Sequence, residues 1–237
     1  MNTFDYEGIW QGTWGDMQRF GPVHRHHRRI FSELFKKLPE DVIQTIADIG
    51  CGEGSNLLFI RSQFPKAKLF GFDVSNTAIE AAKLNVNAEF ALLDIQKEVP
   101  LQKFDLVFCS DVVEHLEDDI TAIRNIKQIT NGYAVIATVQ GRMRTNEKNI
   151  GHFRNYAYGE LKQKVESAGF EILQVVEWGF PLYSPLFRDI ISFFPASEKF
   201  SYGKYSIAKK LVSYILYTLF MLNRGDRGDI IFVLAKS

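Results

Sequence analysis

The stretch Ala47–Leu57, ADIGCGEGSNL, decides how this chain reads. Glycines at positions 50, 52 and 54 alternate with other residues directly after an apolar run, so something must approach the backbone where side chains would obstruct it. The residues before them, Gln44–Ile49, have the apolar content of a buried strand, and SNLLFIRSQF after them has the periodicity of a helix. A strand-to-helix turn of this kind lies at the carboxyl end of an open parallel sheet, where such sheets bind ligands. A ligand-free tight turn is the competing structural reading.

The detail of the turn separates the ligand classes. A dinucleotide fingerprint needs glycine at the first, third and sixth places, and the sixth place here is Ser55. A phosphate loop would end in Gly-Lys-Ser/Thr, and none does. Asp48 followed by Gly50, Gly52 and Gly54 instead suits a zwitterionic amino-acid tail: backbone amides hold its carboxylate and the acid orients its ammonium. Two further acids stand at strand tips. Asp73 closes KLFGFD, about twenty residues on, where a carboxylate accepts from ribose hydroxyls. Asp94 closes the third strand in LLDIQ, placed to accept from an adenine amine while the Ile95 amide faces a ring nitrogen. Each acid alone has a helix-cap alternative.

Outward from the turn, apolar runs alternate with amphipathic ones. Strands are expected at Gln44–Ile49, Lys68–Asp73, Glu89–Leu93, Phe104–Cys109 and Tyr133–Val139, then in FEILQVVEW and DIIFVLAK. Helices are expected in SNLLFIRSQF, SNTAIEAAKLN, EDDITAIRNIKQI and YGELKQKVESAG. Alternation of this kind gives an α/β, Rossmann-like three-layer sandwich, with a mostly parallel seven-stranded sheet and an antiparallel last strand. The expected organisation is a helical cap over 1–40, a core over 41–178, an aromatic helical insertion over 179–226 and a last core strand over 227–237. Lys plus Arg equals Asp plus Glu at 28 each, so no global field recruits nucleic acid. Two cysteines, Cys51 and Cys109, make no disulfide framework and suit a reducing, cytoplasmic setting. The opening MNTFDYEGIWQGTWGD lacks the basic start and apolar core of a secretory signal.

With DIGCGEG, LFGFDVS, ALLDI, FDLVFCSDVVEHLEDD and HFRNYAYGELKQKVESAGFEI in view, the chain from Ile43 onward resembles the class I S-adenosylmethionine-dependent methyltransferases. The likeness is greatest to the small-molecule, glycan and lipid O-methyltransferase branch that includes the ubiquinone-biosynthesis enzymes. The resemblance implies Gly50, Cys51 and Gly52 at the methionine moiety, where the turn itself already places Asp48 and Gly54. It implies Asp73 and Val74 at ribose and adenine, Asp94 and Ile95 at adenine, and Cys109 and Ser110 beside the sulfonium. S-adenosylhomocysteine is the implied product. A nitrogen or carbon acceptor, a catalytically silent S-adenosylmethionine-binding module and, more remotely, an NAD oxidoreductase are the alternatives.

The acceptor is less legible. The Asn/Asp-Pro-Pro-aromatic signature of nucleobase-amine methylation is absent after the fourth strand, where Cys109, Ser110, Asp111 and Val112 stand. Neither cysteine has the context of a cytosine C5 nucleophile, and no required metal is expected. An alcohol or phenol acceptor must lose a proton, and His115 and His152 follow the fourth and fifth strands as candidate bases. His115 has a second reading, as an orienting residue beside the cofactor. The tract HRHHRR, His24–Arg29, is expected to be a solvated face of a helix, with an anion site or a His24/His27 metal site as alternatives. Tyr6, Trp10 and Trp14 share helical spacing and suit a lid or core packing. In the insertion, Phe180, Tyr183 and Phe187 are expected over a partly hydrophobic acceptor. The helix LVSYILYTLFML is apolar nearly all round but short of the roughly twenty residues that span a bilayer. Burial against the sheet competes there with a homodimer contact and with a peripheral membrane contact through 205–222 helped by Lys204, Lys209 and Lys210.

Overall fold

The computed structural model describes residues 15–192 and 203–237. Tyr6, Trp10, Trp14 and the middle of the insertion lie outside them. Seven strands form one sheet: β1 Thr45–Ile49, β2 Lys68–Asp73, β3 Glu89–Leu92, β4 Phe104–Ser110, β5 Thr130–Val139, β6 Glu171–Trp178 and β7 Ile230–Lys236. Their spatial order is β3-β2-β1-β4-β5-β7-β6. The first five pair in parallel, and β7 runs antiparallel between β5 and β6, as its sequence position requires. Central strands such as FDLVFCS are apolar at nearly every position because both faces are covered.

Strand periodicity sorts these residues into two cores. Ile46, Leu106, Phe108, Phe232 and Leu234 point to one face. There they meet the helices α2 Pro22–Phe35, α3 Ser55–Gln63 and α4 Asn76–Asn85 chiefly through Ile30, Phe31, Leu57, Ile60 and Ile79, while α1 Gly15–Phe20 lies against α2 and α3. The intervening residues Ala47, Val107, Cys109 and Val233 point to the other face, against Ile123 and Ile126 of α5 Asp119–Ile129. A short α6 Thr145–Asn149 follows β5, and α7 Glu160–Ser167 adds Leu161 and Val165 to that second core. Period two in the strands and three to four in the helices is therefore what makes the three layers.

Three expectations need correction. The tract His24–Arg29 is not a solvated face. It lies inside α2, which starts at Pro22 with proline in its first turn, and His26 and His27 are buried. His26 stacks between Trp178 and Tyr217, with ring centroids 4.7 and 4.4 Å away, and its Nε2 contacts the Tyr217 carbonyl oxygen at 2.9 Å. Arg29 is exposed and Arg25 and Arg28 are half-buried, while the adjacent His26 and His27 turn in, which a charge count along the sequence does not reveal. Second, the insertion helix is not buried against the sheet. It forms α9 Ile207–Phe220, preceded by the short α8 Arg188–Ser192; it packs on α2 through the contacts of Tyr217 and Phe220 with His26, and on α1 through Ser213, whose hydroxyl donates to the Phe20 carbonyl. Its outer face stays apolar and open, with Leu211 59%, Ile215 57% and Leu219 43% exposed. Third, β3 ends at Leu92, so Asp94 stands two residues beyond the strand tip.

Candidate active site

The turn after β1 has the backbone its glycines suggest. Gly50, Gly52 and Gly54 adopt φ of 72°, 54° and 84°, a left-handed region that costs side-chain-bearing residues energy. A Cβ on Gly50 would also come within 2.3 Å of Val112 Cγ2. Asp73 braces the turn, one oxygen accepting from the Gly52 amide and the other from the Ser75 amide, each at 2.9 Å. Each carboxylate oxygen carries two lone pairs, so such bracing is compatible with an additional hydroxyl donor. Asp48, below the turn, is 1% exposed, and neither of its oxygens has a hydrogen-bond partner. Burial, and then the Asp73 charge, raise its carboxyl well above the usual range. An orphaned acid at the floor of a glycine turn is what the ammonium of an amino-acid tail would satisfy, so S-adenosylmethionine fits these residues.

The adenine end is more occupied. Asp94 accepts from the Gln96 amide at 3.1 Å and pairs with Lys97 at 2.7 Å. Burial would raise its carboxyl, but the Lys97 and Gln96 hydrogen bonds outweigh it and hold it low. Val74 is 50% exposed, free to cover a ring, whereas Ile95 is buried with its carbonyl accepting from Asn125 Nδ2 at 2.7 Å. Cys51 and Cys109 are free, buried thiols, pushed up by burial first and by Asp48 next. Both pack in the cores, and burial holds them in the protonated form. Ser110 Oγ donates to Asp111 Oδ2 at 3.0 Å.

The fourth and fifth strands carry the histidines into contact. Glu114 and His115 lie in the 3-10 turn Val113–His115 after β4. The later motif HFRNY is strapped to it: the Phe153 amide donates to the Glu114 carbonyl at 2.9 Å, and Arg154 donates to the Leu116 and Glu117 carbonyls at 2.6 and 2.7 Å. Tyr156 hydroxyl and Lys164 both meet Asp119 at the base of the strap, at 2.6 and 2.7 Å. The consequence is a His115–His152 pair with ring centroids 4.6 Å apart and nearly perpendicular planes. Burial, and then the neighbouring His152, push His115 down to about 4. Burial also lowers His152, so both rings are neutral at pH 7. Burial and the Asp111 charge push the Glu114 carboxyl up to about 8.

His152 is oriented from behind. Its Nδ1 lies 3.2 Å from Asn155 Oδ1, and Asn155 Nδ2 donates to Glu147 Oε2 at 2.8 Å. That amide orientation makes Nδ1 the protonated nitrogen and Nε2 the basic one. Glu147 in turn pairs with Arg188, whose other arm donates to Asp229 Oδ2 at 2.5 Å. Arg144 and Tyr158 complete this buried network on Asp229, at 3.4 and 2.6 Å. Beside it, Arg142, Tyr158, Phe180, Asp189, Arg227 and Asp229 line a cavity of about 360 Å3 at the β5, β6 and β7 ends. Of the aromatic insertion residues, Phe180 lines that cavity, while Tyr183 stacks on Trp178 at 5.3 Å and Phe187 packs on Phe220 at 5.3 Å.

Sequence reasoning missed Asp111, Glu147, Asn155, Arg188 and Asp229 as parts of this site. Asp111 is the one residue other than glycine with positive φ among the described residues, at 58°. The only sequence signal was its place two residues after Cys109.

Comparison with known proteins gives this geometry a context. The curated Escherichia coli O7:K1 trans-aconitate 2-methyltransferase is 29% identical over 106 residues, which are 44% of this chain and 42% of the relative. The chain thus spans less than half the length of the curated relatives it matches. Among solved structures, one chain of the complex between the Haloferax volcanii Trm112 methyltransferase activator and a methyltransferase has a TM-score of 0.65 at 14% identity, covering 100% of this chain and 99% of that one. Magnesium protoporphyrin IX methyltransferase from Synechocystis PCC 6803, with bound S-adenosylhomocysteine, has a TM-score of 0.56 at 14% identity, covering 91% and 85%. These two share the fold. The methyltransferase domain family itself matches residues 18–175, from within α1 to β6. With more than half of its length inside that match, the chain belongs to the methyltransferase domain family.

Proposed function

We propose that this protein is an S-adenosylmethionine-dependent methyltransferase that methylates an oxygen of a small-molecule, glycan or lipid-linked acceptor, with His152 as the base. Asp48, Gly50, Cys51, Gly52 and Gly54 would hold the methionine moiety, Asp73 and Val74 the ribose, and Asp94 and Ile95 the adenine. Cys109 and Ser110 would border the sulfonium. Bound there, the cofactor supplies an already activated methyl group, so the chain's own task is to place and deprotonate the acceptor. The observation that carries the reading is the chain Arg188–Glu147–Asn155–His152, which fixes a neutral imidazole with Nε2 unprotonated. Nε2 takes the hydroxyl proton as the oxygen attacks, and His115 positions the ring by packing perpendicular to it.

The cap over 1–40 and the insertion over 179–226 are read as the acceptor side of the core 41–178, completed by 227–237. A lipid-linked acceptor is favoured by the open apolar face of α9 beside the exposed Lys204 and Lys210. No helix among the described residues is long and apolar enough to cross a membrane. A second copy of the chain is the competing occupant of that face, and sedimentation with and without anionic vesicles separates the two. The functional test is to incubate the protein with methyl-labelled S-adenosylmethionine and an extract of its own cell, then identify labelled product by mass spectrometry. An O-methylated product formed by wild type and lost by about a hundredfold in His152→Ala supports the reading. A nitrogen- or carbon-methylated product, or binding of S-adenosylhomocysteine without any transfer, overturns it.

A further inference from the structure

Beside the paired histidines lies a second cluster that the proton transfer above does not use. His24 and His27 stand one turn apart on α2, with ring centroids 5.7 Å apart and planes at 70°. They face Asp111, at the carboxyl end of β4. We propose that His24, His27 and Asp111 form a binding site for a divalent transition-metal ion of the zinc or cobalt class.

Four observations meet there. The His27 side chain is 5% exposed, yet neither ring nitrogen has a hydrogen-bond partner. Its Nδ1 lies 3.6 Å from Asp111 Oδ2, too far for a hydrogen bond. That spacing is close to the roughly 3.4 Å separating two ligands of a tetrahedral ion that binds each at about 2.1 Å. One ligand atom from each of His24, His27 and Asp111 lies within 4.8 Å of the others, so His24 needs only a small rotation to close the set. Asp111 is held in its left-handed conformation, its amide donating to the Ala137 carbonyl at 2.9 Å and its Oδ2 accepting from Ser110. Strained residues of this kind gather at functional sites because the surroundings must hold them.

The Arg28 charge is felt at His24, but the heads of Arg25 and Arg28 are turned to other partners. Arg25 lies over the Tyr217 ring at 3.8 Å, and Arg28 donates to the Gln18 and Arg19 carbonyls at 2.6 and 2.8 Å, so both heads are engaged elsewhere. Two imidazoles and one carboxylate select a borderline ion over magnesium or calcium, which take oxygen ligands. Three protein ligands leave one tetrahedral position open. With Ser110 next to Asp111, that position is available to an acceptor oxygen. This use of the site rests on the functional proposal, but cation binding does not.

The test is titration of the untagged full-length protein with Co2+, followed by its visible absorption, and with Zn2+ by calorimetry. One ion should bind per chain, and His27→Ala and Asp111→Asn should each weaken binding by at least the ten- to hundredfold that loss of an outer partner already costs. The described residues hold one other set with ligand spacing, Glu114, His115 and His152, and the double variant His115→Gln/His152→Gln should leave Co2+ binding unchanged. Absence of binding to wild type, binding that survives in folded His27→Ala, or binding lost in the His115/His152 double variant each overturns the assignment. Binding of S-adenosylhomocysteine, measured on the same samples, distinguishes failure here from failure of the functional proposal.

Discussion

Replacing Arg188 by methionine should damage both stability and turnover, by amounts that follow from its surroundings. The guanidinium is 3% exposed and pairs with Glu147 and Asp229, each 9% exposed. Removing one partner of a buried pair leaves the other charge uncompensated, at a cost of about 3–5 kcal/mol. That is a large fraction of the roughly 5–15 kcal/mol that holds a domain folded. Urea denaturation measures it directly. Glu147→Gln in the same background should recover part of the loss, because it removes one orphaned charge and keeps an oxygen for Asn155. Turnover at a temperature where Arg188→Met stays folded should fall as His152 loses its orientation, with S-adenosylhomocysteine affinity nearly unchanged. A loss of less than about 1 kcal/mol, the level of an exposed ion pair, would refute the reasoning.

Three further outcomes are expected. Asp73→Ala should lose about 2–3 kcal/mol of S-adenosylhomocysteine affinity by calorimetry, the scale of charged hydrogen bonds; unchanged affinity in a folded variant counts against the cofactor placement. Because burial lowers His152, its basic form should persist below its ordinary pKa of 6.5, so turnover should be level from pH 7 upward and decline only below about 6.5. An acid limb centred above pH 7 would exclude it as the base. Burial pushes His26 down to about 4, so protons favour the unfolded chain: stability is full above pH 6.5 and declines as pH falls toward 4. Allowing for solvent screening, the loss is on the order of 1–2 kcal/mol, and His26→Phe should flatten the urea midpoint against pH.

The sheet was legible because its signals are local. Apolar runs, glycine spacing and strand-tip acids located β1 to β7 within a few residues, and the fifty-residue return after β6 implied an antiparallel β7. The glycine turn and the acids around it were legible for the same reason, since Asp48, Asp73 and the glycines each stand at a strand tip. The acceptor side was not. His26 turns inward because Trp178 and Tyr217 arrive from about 150 and 190 positions away, and Asn155 gains its role only through Glu147 and Arg188. Charge-run reasoning treated HRHHRR as one surface, whereas α2 divides it by helical phase. The exposed apolar face of α9 was likewise invisible to a count of apolar residues, which does not tell burial from its absence.

The position of β7 shapes how the chain must assemble. It follows every other strand in sequence yet is hydrogen-bonded on both sides, to β5 from Tyr133 to Val139 and to β6 from Glu171 to Trp178. Until β7 emerges from the ribosome, β5 presents an unpaired edge of alternating Ala, Val and Ile, and β6 has no sheet to join. Open apolar edges of this kind template association between nascent chains. The half of the protein that carries His152, Glu147 and Arg188 therefore closes last, after the cofactor half could already stand. Ribosome-bound intermediates that still lack β7 would be the species most in need of a chaperone.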